Sequence, residues 1–134
     1  MRRPDHDHLE LIQSWTQRAE EDLKAAKTLL MLEGEFINTV CFHCQQAAEK
    51  YLKALLTYWQ IPFSKTHDLS ELLKLVAKRK APLAFRLEPI DRLNPYSVTA
   101  RYPDGIENLS QKDAQEAVKL AEMVQKEVKS ILKK

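Results

Sequence analysis

The sequence predicts an all-α fold, an antiparallel up-and-down bundle of four to five helices. Three observations carry that expectation. No segment alternates apolar and polar residues with a period of two over the length of a strand. Only two glycines occur among 134 residues, with 44% hydrophobic and 30% charged side chains, a helix-rich composition. The stretch from Phe36 to Trp59 holds neither glycine nor proline and is apolar around more than one side.

That stretch is expected to be the central helix. At about 100° per residue, Asn38, Thr39, His43, Gln45, Gln46, Glu49, Lys50, Lys53 and Thr57 fall inside an arc of roughly 160°. Apolar residues fill nearly all the rest, more than the ~100° stripe of a surface helix. Phe42 and Leu56 interrupt the polar arc near its middle. Two heptads apart, they share one side and are framed by Asn38, Gln45, Gln46, Glu49 and Lys53, as an apolar patch is framed by a polar rim. Either another helix of the bundle covers them, or a second copy does so in a homodimer.

Taken in order, residues 1–8 form a polar lead-in and residues 9–134 a single domain. The first helix begins near Leu9 and places Ile12, Trp15, Ala19, Leu23, Ala26 and Leu30 on one face. It stops near Gly34, and the short connection forces the central helix to return antiparallel. Ile61-Pro62-Phe63 ends the central helix. Asp68, with Glu71 three positions on, predicts a capping box for a third helix with Leu69, Leu72, Leu73 and Val76 facing the core. Lys78-Arg79-Lys80 suits its C-terminus. Leu83, Leu87, Ile90 and Leu93 suggest a further helix that Pro89 kinks or splits. Residues 95–109 read as the longest irregular stretch. Ser110 with Asp113 opens a last helix that packs through Ala114, Ala117, Ala121, Val124, Val128 and Leu132.

The formal net charge of +2 is too small to argue for nucleic-acid binding by itself. The apolar runs are too short to cross a membrane, and the N-terminus lacks a signal-peptide core, so the expected location is cytoplasmic with no membrane partner. Cys41 and Cys44 form a C-x-x-C pair inside a helix, without a second pair. They are expected to be reduced core thiols, with no metal and no cofactor. His43 lies on the boundary of the polar arc, and His67 precedes the capping Asp68. The loop Arg101-Tyr102-Pro103-Asp104 is the most site-like feature, since Arg offers a fork for phosphate and Tyr a face for a base. The plainer alternative is a structural loop, with Arg101 in a salt bridge.

The run Ala19-Glu20-Glu21-Asp22-Leu23-Lys24-Ala25-Ala26, followed by Cys41 to Leu56, resembles the HEPN domain family. His67-Asp68-Leu69, Pro95-Tyr96 and Arg101-Tyr102-Pro103 extend the resemblance in the same order. It implies a helical bundle that forms a homodimer and has a nucleotide- or RNA-related role. It also implies a partner, a minimal nucleotidyltransferase, in some cases as a toxin–antitoxin pair. On that basis the candidate nucleotide-binding residues are Arg101, Tyr102, Tyr96, Lys50 and His43, and the candidate dimer residues are Phe42, Gln45, Gln46, Glu49 and Leu56.

The family's ribonuclease branch carries an Arg, four to six residues and then a His near the last long helix. Here no histidine follows Arg101, and the Arg3 to His8 spacing lies in the lead-in. No catalytic residue is therefore assigned. The leading reading is a binding or partner subunit; the alternatives are a metal-independent ribonuclease using other residues, and a helical assembly protein without ligand.

Overall fold

The computed structural model describes residues 5–99 and 109–133. Helix α1 (His6–Leu30) starts three residues ahead of Leu9, because Asp5 accepts a hydrogen bond from the His8 amide and caps it. It buries Ile12, Ala19, Leu23 and Ala26 and leaves Trp15 and Leu30 half-buried. The connection to α2 (Ile37–Tyr58) turns through Gly34 at φ 80° and Phe36 at φ 56°. Being so short, it lays the two helices antiparallel.

Helix α2 is the axis of the molecule, flanked by α1 on one side and by the last helix on another. Its C-terminus closes without glycine. Ile61 N–H donates to the Leu56 carbonyl at 2.9 Å and Gln60 N–H to the Thr57 carbonyl at 3.0 Å, with Gln60 at φ 58°. That is a Schellman motif, which satisfies carbonyls that the helix end would otherwise orphan.

Helix α3 (Leu69–Arg79) buries Leu69, Leu72, Leu73 and Val76 as the spacing predicts. Its cap differs from the expected capping box. Asp68 accepts from Ser70 N–H and Oγ, but its own amide donates to Thr66 Oγ1 at 3.0 Å rather than to Glu71, and Asn94 adds a further tie. Asn94 accepts from Leu69 N–H at 2.8 Å and donates to Asp68 at 2.8 Å. A distant amide thus ties the start of α3 to the following segment. Helix α4 (Ala81–Leu87) carries Pro82 in its first turn and gives way to a 3-10 segment, Glu88–Leu93, at Pro89. A short α5 (Tyr96–Thr99) packs on α2, and α6 (Gln111–Leu132) opens with the Ser110–Asp113 capping box. Among the described residues there is no strand, and no helix is long and apolar enough to cross a membrane.

The core runs along α2 between α1, α3, the 3-10 segment and α6, through Leu23, Ala48, Leu52, Leu55, Leu72, Ile90 and Ala121 among others. The polar arc of α2, however, does not face water in its middle. Gln45, Glu49, Lys53 and Thr57 are all buried. The crossover at residues 60–68 folds back over them, and Trp15 of α1 closes the other flank.

Candidate functional site

Helix α1 brings Asp22 against the half-exposed flank of α2. The carboxylate uses both oxygens: Oδ1 meets His43 Nδ1 at 2.8 Å and Oδ2 accepts from Lys50 Nζ at 2.6 Å. His43 and Lys50 are two helical turns apart, so they stand on one line of α2 and one carboxylate can hold both. Their side chains are 28% and 21% exposed, against 13% for Asp22, so the anion is sheltered and the two nitrogen groups reach the surface. With Nδ1 engaged, the imidazole Nε2 has no partner among the described residues. The Phe42 ring meets His43 edge-on at 5.7 Å, adding an apolar face beside it. The arrangement can offer two donors and a ring face to a phosphate-bearing ligand, and an oriented imidazole to a proton transfer.

A second polar cluster lies on another side of α2. Glu49 accepts from Lys53 Nζ at 3.0 Å and meets His67 Nδ1 at 3.0 Å, while Gln45 donates to the His67 carbonyl at 2.9 Å. Gln46 donates to Gln45 at 2.8 Å and carries the chain of contacts toward the surface. Lys53 Nζ lies 5.4 Å from the Trp15 ring centre and 5.8 Å from that of Phe63, so two aromatic faces stabilise the buried ammonium. Trp15 Nε1 is enclosed and has no hydrogen-bond partner among the described residues. The main result of this cluster is mechanical: it fastens the crossover and the entry to α3 onto α2.

The sequence-predicted residues therefore divide. Lys50 and His43 are brought together, through Asp22. Tyr96 lies on the other side of α2, beside Cys41, Cys44 and the first turns of α6; burial, with those neighbours, pushes its hydroxyl up to about 12. Arg101 and Tyr102 lie outside the described residues. Of the five residues expected at a subunit interface, Gln45, Glu49 and Leu56 are enclosed by the chain's own crossover and neighbouring elements. Phe42 and Gln46 are left half-buried. The apolar patch with a polar rim is thus mostly an internal seam. Cys41 and Cys44 are fully buried free thiols facing α6. Burial, with Asp113 nearby, pushes Cys41 up to about 12, and burial raises Cys44 too. No group of three or more metal-ligating side chains occurs among the described residues.

Asp22 was not separable in the sequence from its charged neighbours Glu20, Glu21 and Lys24. The ladder Gln45, Glu49, Lys53 and Thr57 did leave a signal, a strict spacing of four along one line of the helix.

The HEPN domain model matches residues 12–131. The chain is 33% identical over 132 residues to the "Putative toxin MJ1304" of Methanocaldococcus jannaschii, covering 87% of this chain and 85% of that one. Among solved structures, it is similar to ST0689, an archaeal HEPN homologue, at a TM-score of 0.68 and 26% identity over 97% of this chain and 98% of the other. It is also similar to TT1696 from Thermus thermophilus, at a TM-score of 0.72 and 26% identity over 89% and 96%. The order of helices, the α1–α2 hairpin and the family match over nearly the whole chain agree: this protein belongs to the HEPN domain family.

Proposed function

We propose that the chain is a homodimeric, nucleotide-binding HEPN subunit of a toxin–antitoxin-like pair, with a minimal nucleotidyltransferase as its partner. The observation that carries the binding role is the Asp22–His43–Lys50 cluster, partly exposed and pre-arranged on two helices. A phosphate would take Lys50 Nζ and His43 Nε2, and a base would lie toward Phe42. Arg101 and Tyr102, outside the described residues, are proposed as further contacts. The relative named as a toxin supports the pairing with a second protein.

Calorimetric titration with ATP tests the binding role. Lys50→Ala and His43→Ala should each weaken binding by about tenfold or more, since a charge-assisted hydrogen bond contributes ~1.5–3 kcal/mol. Heat release that is the same in wild type and both variants removes the cluster from the site. Co-expression with a minimal nucleotidyltransferase and co-purification at constant ratio tests the partner.

A second reading is favoured by one feature, the carboxylate-held imidazole, which is the geometry of a general acid–base group. Labelled RNA incubated with the pure protein and no metal should remain intact under the first reading. Cleavage that disappears in His43→Ala would replace it with a ribonuclease reading.

A further inference from the structure

The structure assigns a second copy of this chain to the groove between α3 and α4, a surface unrelated to the α2 patch. This rests on the homodimer reading above and names its interface. The groove has a volume of about 390 Å3. Leu73 and three alanines, Ala77, Ala81 and Ala84, line it, and the alanines are short enough to leave room for a large ring. At its edge stands Phe85, 77% exposed and so one of the two most exposed large apolar residues among those described. A lone aromatic left in water beside an alanine-lined groove is knob and hole on the same surface.

The charges make the surface self-complementary. Lys74 is on the α3 wall, and Glu88 and Asp91 are on the opposite wall. All three are exposed, and none is ion-paired with another described residue. Two other exposed cations of this region are engaged: Arg86 with Glu127 at 2.8 Å and Arg92 with Glu116 at 2.6 Å. A two-fold axis running along the groove exchanges the walls, seating α3 of each copy over α4 of the other. Phe85 of each copy then lies over the other's Ala77 and Leu73, and each Lys74 faces the other's Glu88. A protein partner of different sequence would have to supply both a ring and this alternation of charge; a second copy supplies them by symmetry.

Sedimentation equilibrium over a concentration series tests the assignment. The wild type should be a dimer. Phe85→Glu should raise the dissociation constant roughly 30-fold or more, the size of a hot-spot loss, with the helical circular dichroism unchanged because Phe85 supports no core contact of the monomer. Lys74→Glu should weaken the dimer, and Lys74→Glu combined with Glu88→Lys should restore it, since the pair is exchanged rather than removed. A wild type that stays monomeric throughout overturns both the homodimer reading and this interface. A wild-type dimer that Phe85→Glu leaves intact, or a charge exchange that fails to rescue Lys74→Glu, overturns this interface alone.

Discussion

Lys53 carries an ammonium into a wall of carbon and is held there by one carboxylate and two aromatic faces. Taking such a charge out of water is costly, and the pair repays it only while both partners are present. Lys53→Met removes the cation and leaves Glu49, itself buried, with His67 and Gln45. The expected cost is about 3–5 kcal/mol of folding stability. Replacing both, Lys53→Met with Glu49→Leu, should recover much of that loss, because two apolar side chains of similar volume need no counter-charge. Urea unfolding of the three variants checks the cycle; a double variant no more stable than the single would show that Glu49 acts chiefly by holding His67 and the crossover. Asp22 differs in kind, since its two contacts reach the surface and its loss is expected in ligand affinity more than in stability.

At the scale of the element, α2 is bounded by two left-handed residues with side chains, Phe36 and Gln60. Left-handed backbone costs an L-residue roughly 1 kcal/mol or more that glycine avoids. Gln60→Gly should therefore stabilise the fold by roughly 0.5–1 kcal/mol, seen as a higher urea midpoint with unchanged slope. An unchanged or lower midpoint would show that the Gln60 side chain's own contacts outweigh the strain. The helices themselves were legible because their apolar spacing follows 3.6 residues and their caps are local: Asp113 three residues past Ser110, Pro89 splitting a pattern. The ends of α2 fell within a residue of the expectation. Less of the site was legible. Lys50 and His43 could be nominated from their place on the polar arc, but their link runs through Asp22, 21 and 28 residues away, and spacing carries no record of that contact. The burial of Gln45 and Glu49 was hidden for a related reason. The segment that covers them, residues 60–68, has no periodicity of its own to announce where it lies.

For the whole molecule, exposed ion pairs such as Lys27–Glu122 and Lys129–Glu20 join α1 to α6 and contribute little each. Carboxylates at helix starts and seams matter more to its behaviour in acid. Hydrogen bonds from the Ser70 and Asn94 side chains hold Asp68 below its usual range, the Ser110 amide and hydroxyl do so for Asp113, and the Arg86 guanidinium for Glu127. A depressed folded-state pKa gives stability that is present above the unfolded value, near 4, and lost as pH falls through the folded value. The protein should hold its stability from neutral pH to about pH 5 and lose it below about pH 4. Asp68→Asn should be less stable at neutral pH but lose less on acidification. Thermal melts across that range check the sign, and a parallel slope in the variant would exclude Asp68 from the effect. The bundle also has a direction in time. A ribosome releases the α1–α2 hairpin complete while α5 and α6 are still unmade, and the flank of α2 bearing Cys41 and Cys44 is not closed until they arrive. Two thiols that are buried in the finished molecule are therefore accessible, modifiable thiols in the nascent one. An oxidant or electrophile present during synthesis would mark the chain at a seam that α6 must later close, so damage would be recorded as failed docking rather than as a lesion on the native surface.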